Sequence, residues 1–303
     1  MNAPKELRAL LKQPGVLVTA GAYDALSARI LELAGFPLIL TTGFGISASH
    51  IGKPDAELYT MTENLTVVRN MALSVRIPVI ADMDTGYGNA INVIRTVKEF
   101  ERAGCAAGIL EDQLVPKRCP ACVDAFPLVP VEEAAGKIRA AVEARENPDF
   151  LIIARTDARG EEAMDRANAY IAAGAEMVLF ISKAFPSMAD LRKYGKRVKA
   201  PFCLGIFEDV PYPSWFKDDW ALDDLKEVGV KVLGFPLVPL FAAANAVQAV
   251  ASHLSRSKTL KGLREPARMH HEKFIELIGF PGVQALQEKY MPSGEVIKRG
   301  RER

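Results

Sequence analysis

The stretch PVIADMDTGYG, residues 78–88, decides how this chain is read. Val79, Ile80 and Ala81 form a short apolar run that predicts the end of a buried strand. Asp82 and Asp84 follow two residues apart, so in extended chain both carboxylates leave one face. Thr85, Gly86, Tyr87 and Gly88 then carry the chain through a turn. Glu111 stands at the exit of the next apolar run. Three hard oxygen donors at neighbouring strand exits predict a site for a divalent cation, Mg²⁺ or, as the alternative, Mn²⁺. The plainer reading of Asp82 and Asp84 is that they cap the following helix.

Working outward, the same alternation recurs along the chain. Strands are predicted over residues 16–21, 37–43, 78–84, 108–112, 150–157, 177–182, 201–208 and 231–237. Most are continuously apolar, as expected of strands covered on both faces. Amphipathic helices are predicted over 24–34, 62–75, 91–103, 131–145, 161–173, 188–198, 222–228 and 240–254. Gly35, Gly104 and Gly174 follow helical patterns and suit left-handed caps. Thr62 with Glu63, and Ser187, are candidate helix starts. Eight strand–helix units in strict order predict one α/β domain over 1–303, a (β/α)₈ TIM-type barrel. An open doubly wound sheet would carry a GxGxxG turn, which is absent.

Three segments lie outside the repeat: a short helix over 4–12, a proline-rich loop over 117–130, and a C-terminal helical extension over 264–303. The extension carries Phe274, Ile275, Leu277 and Ile278, which need burial either on this chain's own barrel or against a partner subunit.

Of 303 residues 49% are hydrophobic and 25% charged, with a formal net charge of +1, which is globular composition without a basic face for nucleic acid. No apolar run approaches a membrane span, and the N-terminus lacks a signal-peptide core, so a cytoplasmic protein is expected. Cys119 and Cys122 form a CxxC, either a redox pair or half of a zinc site. Zinc would need a second pair, and His270 and His271 face opposite sides of their predicted helix.

Barrel chemistry gathers at the C-terminal ends of the strands. There the chain places Thr41, Thr42 and Gly43, then Asp82 and Asp84, Glu111, Arg155, Ser182 with Lys183, and Glu208 with Asp209. Arg155 either neutralises the acids or binds an anion through its planar fork. Gly43 and Gly45 form a tight turn or let backbone N–H groups approach an anion. Cys119, beside Lys117 and Arg118, is either a loop residue or a thiol with a depressed pKa. Asp55 alone reads as a surface acid.

Together these residues resemble the isocitrate lyase / phosphoenolpyruvate mutase superfamily. The resemblance runs through GAYDALSARI (21–30), TTGFGISASHIGKPD (41–55), ADMDTGYGN (81–89), LEDQLVPKRC (110–119), PDFLIIARTDA (148–158) and EKYMP (288–292). It implies a Mg²⁺-dependent enzyme acting on a small-molecule carboxylic acid through an enolate. By the resemblance, Asp82, Asp84 and Glu111 serve the metal, partly through water. Thr42, Gly43, Phe44 and Arg155 hold the substrate carboxylate, and Asp55 stands at the mouth. Lys117 and Cys119 lie in a gating loop, with Cys119 the acid that protonates carbon. It also implies a homotetramer with exchanged C-terminal helices. Two departures stand out. Pro120, Ala121 and Cys122 replace the polar residues that lyases carry after the cysteine. Ser182 and Lys183 resemble the phosphonopyruvate branch, with Ser182 a candidate substrate contact.

The expectation is therefore a carbon–carbon lyase of a substituted malate-type acid, releasing a 2-oxo acid. Phe44, Phe126 or Phe235 are candidates to contact an apolar branch. The runners-up are an oxaloacetate hydrolase or decarboxylase and a phosphonopyruvate mutase or hydrolase on the same scaffold. From another class, the barrel could be a non-catalytic subunit.

Overall fold

Parallel strands with a helix after each close on themselves in this chain, seen in a computed structural model that describes residues 2–125, 127–207, 220–263 and 269–291. The strands are β1 (Leu17–Ala22), β2 (Ile39–Thr41), β3 (Val79–Asp82), β4 (Ala107–Glu111), β5 (Leu151–Thr156), β6 (Met177–Ile181), β7 (Phe202–Gly205) and β8 (Val230–Phe235). They form a closed parallel barrel in sequence order, with β1 pairing β8. This is the expected (β/α)₈ architecture.

Strand parity builds two cores. Leu40, Ile80, Ile109, Ile153 and Leu179 fill the barrel interior. Their neighbours Ile39, Val79, Ala81, Ile152 and Ala154 pack outward against the helices. Two residues beyond the interior layer, on the same faces, come Thr42, Asp82, Glu111, Arg155 and Ile181. The mouth of the barrel is thus a continuation of its core, polar on β2 to β5 and apolar on β6. Closure is tight at Gly21, where a Cβ would lie 2.0 Å from the Pro236 carbonyl oxygen.

Local signals explain the helix ends. Ser187 accepts from the Asp190 N–H at 3.0 Å and starts the helix Met188–Gly195. The helix Met61–Ser74 is capped by Thr60 with Glu63 at the third helical position, two residues before the expected Thr62 start. Gly35, Gly104 and Gly174 take positive φ after their helices, as expected.

The chain divides into two compact units, Met1–Phe241 and Ala242–Arg303. The first holds the barrel. The second contains most of the helix Val238–Ser257 and the helices His271–Leu277 and Phe280–Tyr290. Within it Leu277 is buried while Phe274 and Ile278 are exposed. The expected strand-end acids Glu208 and Asp209, the candidate contact Phe126, and residues 264–268 and 292–303 of the extension lie outside the described residues. Among the described residues no helix is long and apolar enough to cross a membrane.

Candidate active site

The mouth of the barrel opens into a partly enclosed cavity lined by polar and apolar residues. Thr42, Phe44, Asp55, Asp82, Cys119 and Arg155 line it. Ile181, Phe207, Pro236 and Leu237 line the opposite wall.

Asp82 ends β3 and Asp84 lies in the turn beyond it, so the two do not share an extended strand face as expected; both are buried. Asp82 accepts from the Gly43 N–H at 3.0 Å and from the Asp84 N–H at 3.2 Å. The Gly43 N–H is therefore used by Asp82, and the Gly45 N–H is given to Thr42 Oγ1 at 3.3 Å. These two amides do not form the open anion cradle that the glycine spacing suggested. Asp84 takes a left-handed φ of 49°, rare for a side-chain-bearing residue, which re-aims its carboxylate after the strand. There it accepts from Tyr59 at 2.7 Å and Tyr87 at 2.6 Å, both hydroxyls meeting Oδ2, while Lys117 donates to Oδ1.

Lys117 reaches in from the loop. Its Nζ lies 2.9 Å from Asp55 Oδ1, an ion pair without hydrogen-bond alignment, and 3.9 Å from Glu111 Oε1. Burial opposes the ammonium, but Asp55, Asp84 and Glu111 outweigh it and hold Lys117 well above the usual lysine range.

Arg155 is fixed by Asp157, which accepts from Nε and from one terminal nitrogen at 2.9 Å each. Its other terminal nitrogen sits 3.1 Å from Glu111 Oε2. Gln113 donates to Asp157 at 2.6 Å and completes the brace. Asp112 turns outward and binds Thr156, Tyr170 and Arg166, so it is a structural acid.

Burial pushes Asp82 above the usual carboxylate range, with Asp84 adding to the effect. Burial pushes Glu111 well above it despite Lys117 and Arg155. Both Glu111 oxygens lack a hydrogen-bond partner. Five carboxylates, Asp55, Asp82, Asp84, Glu111 and Asp157, thus meet two cations, Lys117 and Arg155. Such an excess of hard, partly unsatisfied oxygen fits a divalent cation such as Mg²⁺. Among the described residues, no three His, Cys, Asp or Glu side chains are arranged to ligate an ion directly, because Lys117 reaches in among these acids. Asp82, Asp84 and Glu111 are the acids that would hold the ion.

Cys119 corrects an expectation. Its thiol is pushed up, not down, chiefly by burial and then by Asp55. Lys117, engaged by the acids, acts the other way but is outweighed, and Arg118 is exposed. Ser182 and Phe235 do not line the cavity. β6 ends one residue earlier than expected, so Ile181 occupies the mouth. Lys183 instead donates to the loop carbonyls of Pro120 and Val123, the latter at 3.2 Å. Tyr59 and Tyr87 were not foreseen as site residues, while Asp157 was placed at the end of the fifth strand without a role. Tyr87 sits inside the stretch that opened the reading, but its contact depends on a positive φ of 59°.

The phosphoenolpyruvate phosphomutase family model matches residues 7–255. The 2,3-dimethylmalate lyase of Eubacterium barkeri is 34% identical over 96% of this chain and 99% of its own. The 2-methylisocitrate lyase of Aeropyrum pernix is 36% identical over 90% of this chain and 86% of its own. A crystal structure of phosphonopyruvate hydrolase with oxalate and Mg²⁺ superposes with a TM-score of 0.84 at 32% identity, covering 96% of this chain and 100% of that one. A barrel with this mouth is an enzyme, and named lyases are among its relatives. The chain belongs to the phosphoenolpyruvate phosphomutase family, within the superfamily that its motifs resemble.

Proposed function

We propose that the chain is a divalent-metal-dependent carbon–carbon lyase that cleaves a small, alkyl-substituted malate-type acid to a 2-oxo acid and a simple carboxylate. The observation that carries this reading is a thiol held protonated at the same cavity as a braced guanidinium and a cluster of acids.

Arg155 pairs with the substrate carboxylate, and its brace on Glu111 and Asp157 orients the fork before the substrate arrives. Asp55 lines the cavity with one oxygen free of hydrogen bonds and takes the proton of the C2 hydroxyl. The C2 oxygen pair becomes the carbonyl of the 2-oxo acid as the C2–C3 bond breaks. The electron pair spreads from C3 into the adjoining carboxylate, and Cys119 Sγ–H protonates C3. Asp55 then returns its proton to the thiolate, so the protons balance. Asp82, Asp84 and Glu111 would hold Mg²⁺ or Mn²⁺, which when bound would supply positive charge for the oxygen anion that develops. The loop from Lys117 excludes water from the carbanion.

Among the described residues that line the cavity Arg155 is the one cation, and Ile181, Phe207, Pro236 and Leu237 add apolar surface. That wall favours an alkyl branch and disfavours a tricarboxylate, whose extra charge would lie unpaired. We also propose that the enzyme works as a homotetramer.

The test is turnover of 2-alkylmalates, oxaloacetate and phosphonopyruvate with and without Mg²⁺, followed by loss of substrate and identification of the products by nuclear magnetic resonance. The expected result is Mg²⁺-dependent turnover with a preference for alkylmalates. Preference for oxaloacetate or phosphonopyruvate would replace the lyase by one of those chemistries, and no turnover of any would favour a non-catalytic barrel.

A further inference from the structure

The proposed chemistry uses Cys119 but leaves its companion unexplained. Cys119-Pro120-Ala121-Cys122 forms a hydrogen-bonded turn, in which the Cys122 N–H donates to the Cys119 carbonyl at 2.9 Å. The Val123 N–H donates to the same carbonyl at 3.2 Å. A turn closed in this way brings its end Cα atoms within about 7 Å of each other. Disulfides span Cα separations of about 4.4–6.8 Å. The two thiols are also close enough for Cys122 to act on the ionisation of Cys119. Their exposures differ sharply: Cys122 is open to solvent, while Cys119 is 6% exposed at the cavity. The other two cysteines, Cys105 and Cys203, are buried at 1% and 5% exposure, and burial pushes each thiol up to about 12.

We propose that Cys119 and Cys122 form a reversible disulfide that withdraws the proton-donating thiol and shuts the active site. The shut-off rests on the proposed role of Cys119; the disulfide itself does not.

The oxidant is a small-molecule disulfide. Exposed Cys122, as its thiolate, attacks one sulfur of that disulfide and expels a thiolate, forming a mixed disulfide. The Cys119 sulfur, after giving up its proton, attacks the Cys122 sulfur and expels the second small thiolate. The two protons lost by the protein reappear on the two expelled thiols. Two protein thiols and one small disulfide become one protein disulfide and two small thiols.

The burial of Cys119 gives the exchange a direction. Lys183 and Arg159 hold the loop, Lys183 at Pro120 and Val123, and Arg159 at the Asp124 carbonyl at 3.0 Å. In that arrangement the small disulfide meets Cys122 first, and Cys119 is reached only from inside the turn. An occupant of the cavity keeps the Cys119 sulfur facing the site and slows closure of the disulfide. A working enzyme is therefore protected and an idle one is oxidised.

The experiment incubates the full-length protein with oxidised glutathione, with and without oxalate and Mg²⁺. It follows free thiols, intact mass and turnover. The expected result is loss of two of the four thiols, a mass lower by two hydrogens, and at least a tenfold fall in turnover. Dithiothreitol should reverse all three, and oxalate with Mg²⁺ should slow them. Cys122→Ser should turn over as the unsubstituted enzyme does and lose no activity on the same treatment. Retention of all four thiols, or a stable glutathione adduct with no internal disulfide, overturns the disulfide and leaves the role of Cys119 intact. A disulfide that forms without a fall in turnover overturns the shut-off, and with it the proton-donor role of Cys119.

Discussion

Burial and the nearby Asp55 keep the Cys119 thiol protonated, which suits it to give a proton to carbon and not to attack as a thiolate. Cys119→Ser should lower kcat by about a hundredfold or more, the usual scale of a lost general acid, while oxalate binding by calorimetry stays within a few-fold. Unchanged turnover would remove Cys119 from the reaction. Asp82 and Glu111 carry a second prediction. Both are raised by burial, so in the metal-free protein they hold protons that the unfolded chain has lost. Their contribution to stability is full below the ordinary carboxylate range, about pH 4, and is lost as pH rises through the raised values. A divalent cation compensates the ionised acids, so Mg²⁺ should raise Tm more at about pH 8 than at about pH 5, with protons released on binding. An equal or larger shift at the acid pH would mean that these acids are not where the ion acts. The carboxylates were legible in the sequence because strand parity is fixed: Asp82 shares a face with Ile80, and Glu111 with Ile109. The thiol's environment was not, because it depends on Lys117 turning away to acids 33 and 6 residues earlier.

The loop that carries Lys117 and Cys119 is tied to the barrel by elements far away in sequence. Gln113 Oε1 accepts from the Arg118 N–H at 2.8 Å at its start. Lys183, just beyond β6, holds the carbonyls of Pro120 and Val123 and meets Asp124 at 3.3 Å. Lys183 is buried, and desolvation lowers its pKa while Asp124 acts the other way. Lys183→Ala should loosen the loop while leaving the barrel intact. Turnover should fall about tenfold, cleavage within residues 117–128 by limited proteolysis should accelerate, and Tm should change little. A large loss of Tm with no change in cleavage would make Lys183 a core residue and not a latch. The sequence placed Ser182 and Lys183 at the right strand end but could not settle which of them faced the mouth. A continuously apolar strand carries no alternation, and only the interior position of Leu179 shows that Ile181, and not Ser182, points to the mouth. The eight units themselves were readable, since their order and length survive such slips.

At the scale of the whole molecule, two of the three described helices that follow the last barrel strand show an unbalanced surface. In Val238–Ser257, Phe241, Val247 and Leu254 are exposed, and no residue of that helix is buried. In Phe280–Tyr290 the same holds, with Val283, Leu286 and Tyr290 open to solvent. Apolar side chains repeated along two helices are costly to leave in water and mark a surface meant for a partner. Copies of the same chain would cover them symmetrically, as most soluble assemblies do. Light scattering at micromolar concentration should therefore give four times the 33.0 kDa chain mass. Leu286→Asp and Val247→Asp each put a charge on this surface and should shift the mass toward the monomer. The Leu286 change should leave the near-ultraviolet signal of the barrel largely in place. A monomer for the unsubstituted protein would end the assembly proposal. A tetramer indifferent to both substitutions would move the interface to another face of the molecule.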